Sequence, residues 1–136
     1  QLQRQMAQRR MMEAVPQADV IITNPTHFAV ALKYQPNRNE APIVVAKGAD
    51  EMALNIRKIG QAHRVPLFES PQLARSLFAY VEVDQPIPAG LYTAVAQVLA
   101  YIFQLRTQTG GAASPDRPEP VVPDEFAANR DGRPQR

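Results

Sequence analysis

Cysteine is absent from the 136 residues, histidine occurs twice, and the formal net charge is only +2. Each shortage excludes something. Without thiols there are no disulfides and no thiolate catalysis, and the composition fits a reducing compartment. Two histidines, no cysteine and no paired-carboxylate motif leave little material for a transition-metal site or a hydrolytic centre, so neither metal nor cofactor is expected. The charge is spread as +1 over residues 1–24, +2 over 25–109 and −1 over 110–136. Nucleic-acid binding normally needs a concentrated stripe of Lys and Arg, which this is not. No apolar run reaches the length of a membrane span, and no signal peptide is visible. Because the chain starts at Gln1 rather than Met, an upstream part is expected, as the place for a targeting or membrane segment.

With 45% hydrophobic residues the chain can build one modest core and is too short for two. Residues 1–14 are straight-chain and polar, which predicts an exposed helical lead-in ended by Pro16. Arg4, Arg9 and Arg10 give it a solvated face or, on a sharper reading, a basic face for anionic lipid. Asp19 to Thr23 is a short β-branched run that reads as a buried strand. Residues 28–34 alternate large with small or polar, a strand whose alanines suggest that its second face is covered too. After a loop at 35–39, residues 42–48 form a third strand, and 65–69 a short fourth with Pro66 near its start.

Helices are predicted from a capping Asp50 through Ala62, from Ser70 and Pro71 onward with Leu73, Leu77 and Phe78 on one face, and over 89–106. In the last, Leu91, Val95, Val98, Ile102 and Leu105 form the best amphipathic stripe in the chain. From Gly110 the composition collapses: five of the 13 prolines and mixed charge leave little to bury. The expected architecture is therefore an α/β domain over 16–109, with a small, mixed, four-stranded sheet surrounded by about four helices. A helical lead-in (1–15) precedes it and a disordered Pro-rich tail (110–136) follows.

The stretch Ile22-Thr23-Asn24-Pro25-Thr26-His27 carries the chemistry. Asn-Pro is first of all a turn starter. It also closes the usual deamidation route, because Pro25 has no N–H to attack the Asn24 side chain. The cyclisation left open runs the other way. The Asn24 amide nitrogen attacks its own backbone carbonyl, expels the Pro25 nitrogen and leaves a C-terminal succinimide. The tertiary amide before proline is more easily twisted out of plane, and His27 is placed to exchange protons with the leaving nitrogen. Thr26 would hold the turn through its hydroxyl, and strain in the fold would lower the barrier.

Residues 15–34, VPQADVIITNPTHFAVALKY, resemble the cytoplasmic domain of the FlhB/YscU/SpaS switch proteins of type III secretion. The likeness continues through APIVVAKGADEMALNIRKIGQAHRVPLFESPQLARSLF and IPAGLYTAVAQVLAYIFQLR, covering about residues 5–106, and is strongest to the flagellar branch. It implies self-cleavage between Asn24 and Pro25, with His27 assisting and Thr26 shaping the loop. It also implies that the two pieces stay together and that cutting switches export from rod and hook subunits to filament subunits. The implied partners are a hook-length control protein, export gate proteins and export substrates, at the cytoplasmic face of the bacterial inner membrane, to which a preceding segment anchors the domain. A hydrophobic patch for early substrates would fall on Ala41, Pro42, Ala96 and Leu99, although by sequence alone these read as core or loop residues.

Three rivals stand beside this reading. In the first, NPTH is only a tight turn in a non-cleaving interaction module of a secretion apparatus, injectisome homologues included. The second is a nucleic-acid-binding domain using Lys47, Arg57, Lys58 and Arg64, but these charges are scattered and offset by Asp50 and Glu51. The third, a metal-dependent or hydrolytic enzyme around His27 and His63, has too few ligands, and His63 is most simply a cation at a helix end.

Overall fold

The computed structural model describes residues 1–38, 41–108 and 115–135. Four strands, β1 (Val20–Asn24), β2 (Phe28–Lys33), β3 (Ile43–Ala49) and β4 (Leu67–Glu69), form one sheet in the order β3-β2-β1-β4. β1–β2 and β2–β3 are antiparallel, and β4 lies parallel to β1. Four α-helices accompany them: α1 (Leu2–Ala14), α2 (Glu51–Ala62), α3 (Pro71–Tyr80) and α4 (Tyr92–Thr107). The expected mixed, four-stranded α/β architecture is the one observed. A parallel neighbour needs a crossover, and α2 provides it on the way from β3 to β4.

Alternation along β2 explains the layering. Phe28, Val30 and Leu32 join Val20, Ile22 and Val44 on one face, against Leu73 and Leu77 of α3 and Val95, Val98 and Ile102 of α4. Ala29 and Ala31 point to the other face with Ile21, where Ala53 and Ile56 of α2 and Val15 pack. The small residues let α2 lie close: a Cβ on Gly60 would sit 2.3 Å from Ile21 Cδ1. Opposite Ala31 and Leu32 the ladder slips past Val45, a bulge that turns Val45 and Ala46 into the same core.

Element ends differ from expectation by a residue or two, with identifiable causes. β4 starts at Leu67, not 65, because Pro66 has no N–H; its carbonyl accepts from Ile21 N–H at 2.9 Å instead. The helix expected from 89 opens as a 3-10 turn, Ala89–Leu91, and Leu105 at its far end is 38% exposed. Neither Asp50 nor Ser70 makes a side-chain cap, although Pro71 opens α3 as expected. α1 buries no residue and meets the core only through Met11, Met12 and Ala14. Pro16 follows it in a 3-10 turn, Val15–Gln17. The loop expected at 35–39 begins as a 3-10 turn, Pro36–Arg38, and its end lies outside the described residues, as does the expected boundary near 109. Among the described residues no helix is long and apolar enough to cross a membrane.

Residues 115–135 add no α-helix and no strand to the sheet, in keeping with their composition. They nevertheless touch the domain, among other places through Arg117, Phe126 and Gly132. Arg117 lies over the Phe68 ring at 4.0 Å, and Phe126 stands edge-on to Tyr80 at 5.3 Å. Gly132, at φ +80, sits on the Phe28–Phe78 pair, whose centroids are 4.7 Å apart. A Cβ there would come within 2.7 Å of Phe28 Cζ.

Gly132→Val therefore introduces both a clash and a left-handed β-branched residue, a cost of about 1–2 kcal/mol. We expect amide exchange over residues 127–135 to rise about tenfold while exchange in β1 and β2 stays unchanged. Equal loss of protection in the sheet would show that this segment is part of the folding core.

Candidate functional site

The β1–β2 hairpin places the NPTH residues. Pairing of Asn24 with Phe28 leaves only Pro25, Thr26 and His27 to join the strands. His27 N–H donates to the Asn24 carbonyl at 2.8 Å, closing a β-turn with Asn24 first and Pro25 second, the position that suits the fixed φ of proline. Behind it Thr23 is 4% exposed, and its carbonyl accepts from Ser70 N–H at 2.9 Å. The strand end is thus fixed on its β4 side, while Asn24 is half-buried and Pro25, Thr26 and His27 face solvent.

The Asn24 oxygen belongs to the carbonyl of the Asn24–Pro25 bond. A donor on that oxygen stands where negative charge would grow if a nucleophile added to the carbonyl carbon. The Asn24 side-chain amide, by contrast, has no hydrogen-bond partner among the described residues, and so its nitrogen is not tied down.

Thr26 and the strain differ from expectation. The Thr26 hydroxyl has no partner among the described residues; the turn is closed by backbone alone. None of residues 24–27 takes a left-handed φ, and their peptides are trans. The strained residue stands next door. Asp50 adopts φ 51, ψ −112, a conformation that costs a non-glycine residue about 1–3 kcal/mol. Its N–H donates to the His27 carbonyl at 2.9 Å, and its Oδ1 is 4.0 Å from His27 Nδ1. The His27 side chain is 62% exposed and its ring lies 6.5 Å from that of Phe28. Sequence reading missed this pairing, because a lone Asp before a helix signals a cap and the His27–Asp50 separation is set by the β2–β3 register.

The four patch residues also meet. Ala41, Pro42, Ala96 and Leu99 line one groove of about 490 Å³ between the start of β3 and α4, with Tyr34 and Phe103 at its wall. Ala96 is exposed and Leu99 only 5% so, which makes the former surface and the latter core. Tyr34 and Phe103 approach to 6.0 Å between centroids. The groove and the turn lie at opposite ends of β2, about 20 Å apart at 3.3 Å per residue.

Of the scattered cations, Lys47 is committed: Nζ donates to the Phe78 carbonyl at 2.9 Å and to Glu82 at 3.3 Å, over the Phe78 ring. His63 follows the last residue of α2, the helix-end position expected for it.

Residues 1–102 match the FlhB HrpN YscU SpaS family. The chain is 58% identical over 120 residues to flagellar biosynthetic protein FlhB of Salmonella typhimurium, covering 88% of this chain and 31% of that protein. It is 52% identical over 106 residues to FlhB of Bacillus subtilis, covering 78% and 29%. The chain thus spans about a third of the length of the curated relatives it matches. Among solved structures it is similar to the cytoplasmic domain of FlhB from Shewanella putrefaciens, with 45% identity, a TM-score of 0.77, and coverage of 88% of this chain and 95% of that one. It is also similar to a mutated EscU C-terminal domain, at 30% identity and a TM-score of 0.65, covering 68% and 98%.

Ala96 and Leu99, both on α4 and lining the groove, separate by stability. Leu99→Ala should cost about 2–3 kcal/mol by leaving a cavity, whereas Ala96→Ser should stay within about 0.5 kcal/mol of the parent. Urea unfolding of both variants checks this; equal effects would mean that α4 does not present the groove as described.

Proposed function

The chain belongs to the FlhB HrpN YscU SpaS family, and from that membership we propose that it is the cytoplasmic part of a flagellar type III export component that cuts its own backbone between Asn24 and Pro25. The observation that carries this reading is the turn itself: the Asn24 carbonyl oxygen accepts from the His27 N–H at 2.8 Å while the Asn24 amide nitrogen has no partner among the described residues.

In the proposed reaction Asn24 Nδ2 adds to the Asn24 carbonyl carbon, closing a five-membered ring. The His27 N–H stabilises the oxygen as charge develops on it. The bond from that carbon to the Pro25 nitrogen then breaks. One proton leaves Nδ2 and one arrives at the proline nitrogen, a transfer that the His27 imidazole can relay. Asn24 ends as a succinimide that water later opens, and Pro25 becomes a new N-terminus. The event occurs once per chain, so it is self-processing and not turnover.

Cutting would free the turn without releasing the first piece, because β1 is paired to β2 along its length and to β4 at Ile21, Ile22 and Thr23. The released loop would then let the export apparatus pass from rod and hook subunits to filament subunits, under a hook-length control protein and in contact with export gate proteins. Early substrates would dock in the groove at Ala41, Pro42, Ala96 and Leu99, which is apolar and open to an inserted side chain. A preceding segment would hold the domain to the cytoplasmic face of the inner membrane.

A denaturing gel with intact mass on freshly synthesised chain tests the cut. Two fragments, 1–24 and 25–136, are expected from the parent and none from Asn24→Ala, with His27→Ala slower by about 10²-fold or more. A single chain, stable for days at neutral pH, would leave NPTH a structural turn in an interaction module.

A further inference from the structure

We propose that Asp50 is a positioning residue for His27 in the cut, an assignment that rests on the self-cleavage reading. Two contacts of different kinds reach from Asp50 to the same residue. The Asp50 N–H holds the His27 carbonyl at 2.9 Å, which fixes the fourth residue of the turn. An Asp50 carboxylate oxygen lies 4.0 Å from Nδ1 of the His27 ring, beyond hydrogen-bond range, so its pull on that nitrogen is electrostatic. A carboxylate on that side favours the imidazole with its proton on Nδ1 and leaves Nε2 as the nitrogen free to take and return a proton. The ring of an exposed histidine would otherwise sample several rotamers, most of them facing bulk water.

The backbone of Asp50 supports a role beyond helix capping. Its side chain makes no cap bond to α2, although a capping bond is the usual reason for Asp at this position. It holds φ 51 and ψ −112, a region that glycine occupies more easily. An acidic residue kept at a glycine-like position without capping its helix has, among the described residues, its one side-chain contact with a titratable group at His27. Two of the other charges are engaged elsewhere and one is unpaired among the described residues. Lys47 of β3 pairs with Glu82, Asp131 of the C-terminal segment pairs with Arg133, and neighbouring Glu51 has no ion pair among the described residues. Among those residues no Lys, Arg or other His side chain lies within 4.0 Å of the Asp50 carboxylate.

The test compares Asp50→Asn, Asp50→Gly, His27→Ala and the double variant His27→Ala/Asp50→Asn. Each 136-residue chain is made by cell-free synthesis and sampled on denaturing gels over time. Asp50→Asn keeps the backbone donor and removes the charge. Asp50→Gly keeps the donor, suits the local φ and should melt no lower than the parent. Both should cut about tenfold more slowly, and the double variant should cut no more slowly than His27→Ala alone. In parallel, ¹⁵N shifts of His27 in the uncleavable Asn24→Ala chain should report Nδ1–H as the main tautomer, lost on adding Asp50→Asn. Parent-like cutting of Asp50→Asn, or an Asp50 effect that persists in full without His27, would overturn the assignment. If the parent itself never cuts, the self-cleavage reading falls and takes this assignment with it. The ¹⁵N result would then show whether the pairing is structural only.

Discussion

Pairing of Asn24 with Phe28 across the β1–β2 hairpin is the constraint on which the rest depends. It leaves three residues for the turn and so places Pro25 second in it and His27 at the closing position. The same register sends Phe28, Val30 and Leu32 toward α3 and α4 and the alanines toward α2. A slip of one residue would reverse both faces of β2 at once, exposing α2 to bulky side chains and leaving a void under α4. The turn and the core therefore specify each other. This is why a surface loop of three exposed residues can have a fixed geometry without any side-chain hydrogen bond of its own.

That arrangement also makes a break in the turn survivable. The segment before it contributes Val15, Val20, Ile21 and Ile22, all fully buried, and each such side chain contributes about 1.5–3 kcal/mol by leaving water. The sum is comparable with the whole stability of a small domain. A hydrolysed bond at 24–25 removes only the covalent closure of a three-residue loop, a far smaller term. Were that bond broken, separating the two pieces would require unfolding of the sheet, while rearranging Pro25, Thr26 and His27 would cost far less, chiefly the Asp50 N–H bond to the His27 carbonyl. The interior position of β1, between β2 and β4, is what makes the two energies so different.

Periodicity together with helix-forming composition at residues 1–14 was enough to locate the four strands and four α-helices of the described residues, because this fold is locally consistent. β-branched runs became strands, Pro71 opened α3, and Leu91, Val95, Val98 and Ile102 faced the core as their spacing indicated. The failures lie where tertiary contact overrides a local rule. Asp50 satisfies every sequence criterion for a helix cap, yet the β2–β3 pairing draws its backbone to His27 and turns its φ positive. Thr26 has the chemistry to close a turn, but a backbone bond already does so. Gly132 sits in a segment whose composition indicates little to bury. It touches the domain because the tilted Phe28 and Phe78 rings leave room only for a residue without a side chain. Neither the Asp50–His27 contact nor the Gly132–Phe28 contact leaves a periodic signal, since each joins positions far apart in the chain.

The distance between turn and groove limits how one can influence the other. They lie about 20 Å apart at opposite ends of β2, and β2 is buried along nearly its whole length. A packed central strand does not slide by fractions of a residue, so a signal along it would need a second discrete register, which the layering of large and small side chains forbids. A route over the surface has fewer obstacles. Phe28 beside the turn meets Phe78 of α3, and Lys47 of β3 binds the Phe78 carbonyl and Glu82 just beyond that helix. Glu82 and Asp84 flank a connection whose residue 85 carbonyl accepts from Val44 N–H, and the Ile87 N–H donates to Pro42, in the wall of the groove. Any influence of a cut turn on the groove would therefore run around the edge of the sheet through the α3–α4 connection, with β1 and β2 as the fixed frame.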